Sequence, residues 1–138
     1  MNHPYMGLDV GDARIGIAIS DPTATIAQPY DVLHRQGKWK DVMALRQMIE
    51  ELGVSHVVVG NPKHLNNHES AQAKKVLRFI NALKHDYPLD ITFVDERLTT
   101  VSAHDLLLAS GVKRKEHRPI VDKIAAAEIL QLYLDSRK

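Results

Sequence analysis

Residues 8–16 read Leu8-Asp9-Val10-Gly11-Asp12-Ala13-Arg14-Ile15-Gly16, in which Asp9 follows one short apolar run and the Gly11-Asp12 pair precedes another. The Gly-Asp pair in the middle suits a tight turn, so the stretch predicts two antiparallel strands joined as a hairpin. Strand side chains alternate, which places Asp9 on the face of Gly7 and Gly11, with open space beside it. A half-buried carboxylate is costly unless a cation or a hydrogen-bond donor meets it. Asp9 is therefore a candidate site residue, and the alternative is a structural pair with Arg14 or a cap of local backbone.

The composition limits the class of protein. The chain has 138 residues, 44% of them hydrophobic, which predicts one domain over 1–138 with a single core. The formal net charge is +1, so any surface that attracts nucleic acid must be local. Cysteine is absent, which excludes disulfides and thiolate chemistry and suits a cytoplasmic protein. No apolar stretch approaches the length of a membrane span, so we expect no membrane partner.

The order of predicted elements indicates an α/β fold. Three strands come first, and Pro29 in the third, over 25–33, favours a sheet edge or a bulge. The apolar patterns predict helices over 37–52, 69–85, 101–109 and 120–135, and strands over 56–60 and 91–94. Three hairpin-connected strands followed by parallel strands imply a mixed five-stranded sheet with helices on both faces.

Three acidic residues stand at the ends of predicted elements. Asp9 ends the first strand, Glu96 follows the last strand, and Asp122 opens the final helix. The small residues Ala125 and Ala126 would let that helix press closely on the sheet and bring Asp122 towards the strand ends. Clustered like charges need bound cations, and oxygen ligands favour Mg²⁺ or Mn²⁺. Two such ions about 4 Å apart can activate water and stabilise the leaving oxygen of a phosphodiester.

Each of these acids also has a structural interpretation. Consecutive strand residues point to opposite faces, so only one of Asp95 and Glu96 can share the face of Asp9. Asp95 otherwise pairs with Arg97 or caps the next helix. Asp122 otherwise provides the negative charge that the dipole of a helix favours at its N-terminus.

Cations near the acids are candidates for binding phosphates. The run 113–119 is basic and lacks periodicity, which predicts a loop immediately before Asp122, and an ordinary solvated loop is the alternative. Lys38 and Lys40 flank Trp39, which could stack on a base, although a Trp at a helix start more often packs on the core. The candidate phosphate-binding residues are Arg14, Lys63, Arg97, Lys113, Arg114, Lys115 and Arg118.

Four motifs together resemble the YqgF family, also called RuvX. They are Leu8–Gly11 with Arg14–Ala18, Val58–Lys63, Asp95–Thr100, and Asp122–Ala126 with Leu130–Leu134. The resemblance covers essentially the whole chain in the same order, although Asn67 stands where the family often has Gly after the Asn of its central loop. The family is similar to the RuvC Holliday junction resolvase, so the resemblance implies an RNase H-like fold.

The resemblance also implies a metal-dependent nuclease for structured nucleic acid. Asp9, Glu96 and Asp122 would form the site for Mg²⁺ or Mn²⁺. The 5′ end of precursor 16S rRNA is the first expectation for the substrate, in ribosome biogenesis. A Holliday junction is the alternative, and its two symmetric cuts need a homodimer rather than a monomer. A non-catalytic nucleic-acid-binding module is a further alternative, which the acids oppose because they repel phosphate.

Overall fold

A computed structural model describes residues 3–61, 71–95 and 114–137, with the side chains of the last range from residue 120 onwards. Over these ranges the chain forms five strands and three helices. The elements are β1 Tyr5–Val10, β2 Arg14–Ser20, β3 Ala27–His34, α1 Lys38–Leu52, β4 His56–Asn61, α2 Ala71–Leu83, β5 Asp90–Asp95 and α3 Arg114–Ser136.

The five strands form one mixed sheet in the order β3-β2-β1-β4-β5. The first three strands pair antiparallel, and β1, β4 and β5 pair parallel, which confirms the predicted topology. β3 is an edge strand, and its register on β2 shifts between Ile17 and Ala18, next to Pro29. Both expectations for Pro29 are confirmed, because an edge with a bulge tolerates a residue without a backbone N–H.

Helices cover both faces of the sheet, as predicted. On one face, Met6, Leu8 and Val10 of β1 pack with the apolar stripes of α1 and α2. On the other face, Ala18 and Val58 pack with buried residues of α3. None of the helices in the described ranges is both long and apolar enough to cross a membrane.

The contact between α3 and the sheet depends on two glycines. A Cβ atom at Gly7 would stand 2.7 Å from the main-chain oxygen of Ala126 and 2.7 Å from Cβ of Leu130. A Cβ atom at Gly16 would overlap the main-chain oxygen of Asp122. Any larger residue at these two positions would push the helix away from β1 and β2.

The start of α3 differs from the prediction. The helix begins at Arg114, so the prediction of a loop over 113–119 was wrong for 114–119. Arg, Lys and Glu favour helix, and a charged run has no apolar period from which a helix can be predicted. The second predicted helix is found as Ala71–Leu83 and ends two residues earlier than expected. Its predicted start at residues 69–70 and the helix predicted over 101–109 lie outside the described residues.

Aromatic stacking fixes the C-terminal end of α3. The rings of His56, Tyr5 and Tyr133 form a three-ring cluster, with centroid distances of 5.0 Å for Tyr5–His56, 5.6 Å for His56–Tyr133 and 6.1 Å for Tyr5–Tyr133. His56 Nε2 also lies 2.7 Å from Thr92 Oγ1, and the guanidinium of Arg137 lies 4.9 Å from the Tyr5 ring centroid. Burial lowers the pKa of His56 below its usual value.

We expect Gly16→Ala to reduce the free energy of unfolding by about 1–3 kcal/mol, the usual range for overpacking, because the new methyl overlaps the backbone of α3. Urea unfolding followed by circular dichroism measures this change. Ile26→Ala is the control, since Ile26 is 58% exposed and should alter stability by less than about 0.5 kcal/mol. Equal stability of Gly16→Ala and the parent protein would contradict the close helix contact.

We expect the folded state to lose stability as the pH falls below about 6.5, where His56 of the unfolded chain takes up a proton. The folded state resists that proton because burial lowers the pKa of His56, so protonation favours unfolding. His56→Gln should therefore lose less stability than the parent between about pH 7.5 and about pH 5. Parallel pH profiles from urea unfolding measure the difference, and superimposable slopes would exclude a contribution from His56.

Candidate metal and phosphate site

The carboxyl ends of the three parallel strands meet at one edge of the sheet. We call this the strand-end edge and define it by Val10, Arg14, His34, Asn61 and Asp95, which end or begin the five strands there. Ligands of open α/β sheets commonly bind beyond the carboxyl ends of the strands. The candidate residues of β1, β2 and β5 all lie at or beside this edge.

Asp9 lies between glycines on both neighbouring strands. It is half-buried, and its register partner on β2 is Gly16. On β4, Gly60 follows Val59, the partner of Leu8, and therefore comes next to Asp9. Glycine has no side chain, so the adjacent strands place no side chain beside this carboxylate.

Asp122 is brought to the same face by α3. Its main-chain oxygen packs on Gly16, the residue that pairs with Asp9. Arg14 Nε donates a hydrogen bond of 2.7 Å to Asp122 Oδ2, and the two side chains are 23% and 22% exposed. Arg14 shares its strand face with Gly16 because the two are separated by one residue. The β-hairpin and α3 therefore pack closely against each other, as the small residues Ala125 and Ala126 of α3 predicted.

Two details of the sequence interpretation are corrected by this geometry. The backbone of α3 occupies the space over Gly7 and Gly16 on the face of Asp9, because a helix can approach a strand most closely where no Cβ intervenes. Asp122 does not open the final helix, since α3 begins eight residues earlier, at Arg114. The dipole interpretation of Asp122 was therefore wrong, because that effect is confined to the first turn.

Asp95 lies on the face opposite Asp9. Asp95 pairs with Asn61. Asn61 lies two residues after Val59 and therefore shares its face, and Val59 pairs with Leu8. These residues belong to the face that packs on α1 and α2. Asp95 therefore points away from the Asp9 side of the sheet.

The remaining candidates fall partly or wholly outside the described residues. Glu96, Lys63, Arg97 and Lys113 are outside them, as are Asn66 and Asn67. Arg114, Lys115 and Arg118 belong to the first two turns of α3 by their backbone. Among the residues that the structure describes, no three His, Asp or Glu side chains come together as a metal site. The described part of the proposed site is therefore Asp9, Asp122 and Arg14.

An ion pair that the sequence analysis did not find fixes α1 at this edge. Asp41 is 1% exposed, and Arg35 Nε donates to its Oδ2 at 2.6 Å. Arg35 Nη1 also donates to the carbonyl oxygen of Gly11 at 2.8 Å. The sequence signal was weak, since an acid in the first turn of a helix is usually solvated.

The family model described as "RuvX: Holliday junction resolvase" matches residues 3–136. The chain belongs to the RuvX family. A protein of Desulforamulus reducens is 46% identical over 131 residues, which cover 95% of this chain and 96% of the relative. A protein of Thermoanaerobacter pseudethanolicus is 44% identical over 134 residues, which cover 96% of each. Both bear the name "Putative pre-16S rRNA nuclease".

Two solved structures share the fold of this RuvX family member. Thermus thermophilus RuvC, in complex with a Holliday junction substrate, superposes with a TM-score of 0.63 at 12% identity over 98% of this chain and 95% of its own. The fowlpox virus resolvase, in complex with Holliday junction DNA, gives a TM-score of 0.60 at 9% identity over 97% and 98%. These likenesses confirm the RNase H-like fold.

We expect the Arg14–Asp122 contact to couple energetically by about 1 kcal/mol, the upper end for partly exposed ion pairs. A double-mutant cycle with Arg14→Ala, Asp122→Ala and the double variant measures the coupling from urea unfolding. Salt should weaken the coupling, because solvent reaches both side chains. Strict additivity at low salt would mean that the contact does not persist in solution.

Proposed function

We propose that this RuvX family member is a divalent-metal-dependent endonuclease that processes the 5′ end of precursor 16S rRNA. Its family and its curated relatives make it a hydrolytic nuclease. The pre-16S rRNA nuclease names of full-length relatives at 46% and 44% identity favour the ribosomal substrate. The observation that carries the proposal is the presence of Asp9 and the Asp122 segment on one face of the strand-end edge.

The donor set of this face fits a hard divalent cation. Asp9 and Asp122 offer carboxylate oxygens, which are the ligands that Mg²⁺ and Mn²⁺ prefer. Only one of the consecutive residues Asp95 and Glu96 can share the side of Asp9 if the strand continues, and Asp95 lies on the opposite face, which supports the choice of Glu96. We propose Asp9, Glu96 and Asp122 as the residues that hold the metal. Bound ions would lower the pKa of the attacking water and stabilise the leaving oxygen.

Cationic side chains complete the proposed site. Arg14 orients the carboxylate of Asp122 through Nε, and a guanidinium carries further N–H groups that can donate to a phosphate. Arg118 lies four residues before Asp122, one helical turn earlier on α3. With Lys63, Arg97, Lys113, Arg114 and Lys115 it would bind the sugar-phosphate backbone of the substrate.

A second candidate function is the resolution of Holliday junctions. The description of the family model favours it. Symmetric cleavage of a junction needs two active sites related by a two-fold axis, hence a dimer. The ribosomal role is compatible with a monomer, and in either role we propose a single nuclease domain over 1–138 that acts in the cytoplasm.

We expect Asp9→Asn to reduce metal-dependent cleavage at least about a hundredfold. Replacing a residue that only hydrogen-bonds to a metal ligand typically reduces activity by less than this. Asp95→Asn is the matched control, because the same change on the opposite face should preserve cleavage. The assay offers precursor 16S rRNA and a four-way DNA junction to each variant, with Mn²⁺ or with EDTA. Cleavage of the RNA alone supports the ribosomal role, and cleavage of the junction alone supports resolution.

Thermal unfolding provides a readout that is independent of substrate. Mn²⁺ should raise the melting temperature of the parent and of Asp95→Asn, since a ligand that binds only the folded state stabilises it. Asp9→Asn should lose most of that shift. Cleavage that survives both EDTA and Asp9→Asn would exclude the proposed metal site, and nucleic-acid binding without any cleavage would favour the non-catalytic alternative.

A further inference from the structure

The single Trp of the chain is exposed at the start of α1. Trp39 is 54% exposed, and Met43, one turn later, is 62% exposed. The expectation that this Trp packs on the core was wrong. The position in the first turn that faces the protein is occupied instead by Asp41, which is buried in its ion pair with Arg35.

Lysines flank the indole of Trp39 on α1. The structure describes the whole of α1, and the first two turns of this helix carry no exposed acidic side chain. Lys38 and Lys40 are both exposed, and Lys38 Nζ lies 5.4 Å from the Trp39 ring centroid. The carboxylate of Asp41 is neutralised by Arg35 at 2.6 Å, and the next acid along α1 is Glu50 at the far end of the helix. Exposed Lys is depleted from protein–protein interfaces, whereas an aromatic face between cations suits a nucleic-acid strand.

The start of α1 is also joined to the segment that carries Asp9. The backbone N–H of Arg35 donates to the carbonyl oxygen of Ala13 at 2.9 Å, and its Nη1 donates to that of Gly11 at 2.8 Å. These bonds attach α1 to the β1–β2 turn, two residues after Asp9. Because α1 packs on the face of the sheet opposite Asp9, a strand bound at the strand-end edge would pass over this turn to reach Trp39.

We infer that Trp39, Lys38 and Lys40 form a stacking platform for a single-stranded part of the substrate, across the β1–β2 turn from the proposed nuclease site. A base stacks on the indole, and the two lysines bind the adjacent phosphates. The strand is single because the bases inside a duplex are already stacked on one another. The inference rests on the proposed function for the identity of the ligand and adds a second contact region to it.

Tryptophan fluorescence tests this inference directly, because Trp39 is the only Trp in the chain. A single-stranded oligoribonucleotide of about 12 nucleotides, within the site sizes of known single-strand binders, is titrated in EDTA, which prevents metal-dependent cleavage. We expect quenching of the emission. No quenching at saturation, measured by anisotropy of the labelled oligonucleotide, would overturn the platform. A concentration-dependent blue shift of the protein alone would also overturn it, since a second copy would then cover Trp39.

Affinities of variants separate the platform from the nuclease site. Trp39→Ala should weaken binding of the labelled oligonucleotide about five- to hundredfold, the range for loss of one stacked base, while Trp39→Phe should retain most of it. Ile26→Ala, at another exposed apolar side chain, should bind as the parent does. Unchanged affinity of Trp39→Ala contradicts the inference even if cleavage is normal. Binding and quenching by a protein that cleaves neither substrate would refute the proposed function and support the platform.

Discussion

The site depends on how closely α3 approaches β1 and β2. That approach is possible because Gly7 and Gly16 carry no Cβ, so the backbone of Ala126 and Asp122 lies directly on the strands. Apolar burial around Ala126, Ile129 and Leu130 stabilises the contact but has no directional preference. The glycines provide that preference, since at these two positions the strands leave room for helix backbone. The position of Asp122 relative to Asp9 is therefore a consequence of packing.

The polar contacts at the strand-end edge act mainly on geometry. An ion pair as exposed as Arg14–Asp122 contributes little to stability, about 1 kcal/mol at most. It nevertheless limits the rotamers of both side chains, and a site that binds metal or phosphate gains from ligands that are ordered in advance. Arg35–Asp41 is more buried, and breaking it by removing Arg35 would leave an uncompensated charge under α1.

Periodicity and strand alternation account for the features that the sequence predicted most reliably. The mixed sheet and the edge position of Pro29 could be derived, because each depends on a repeat of two or on a local backbone rule. Alternation also showed that Asp95 and Glu96 cannot both share the face of Asp9, but not which of them does. The start of α3 and the exposure of Trp39 could not be derived. Helix propensity in a charged run leaves no apolar pattern. Trp39 is exposed because Asp41, paired with Arg35 six residues earlier, takes the buried position of the first turn, and a charged pair leaves no apolar pattern either.

The β1–β2 turn, which follows Asp9, is bound from the α1 and α2 side of the sheet and by a hydrogen bond within the hairpin itself. Arg35 binds the carbonyl oxygen of Gly11, Lys75 of α2 lies 3.5 Å from Asp12, and Gly11 donates its N–H to the carbonyl oxygen of Arg14 at 2.9 Å. On the opposite face, Arg14 is bound to α3 through Asp122. A hairpin turn alone is a mobile surface element. Contacts from both layers restrict its motion, which favours a constant separation between the carboxylate before it and the Arg after it, as binding a charged ligand in one geometry requires.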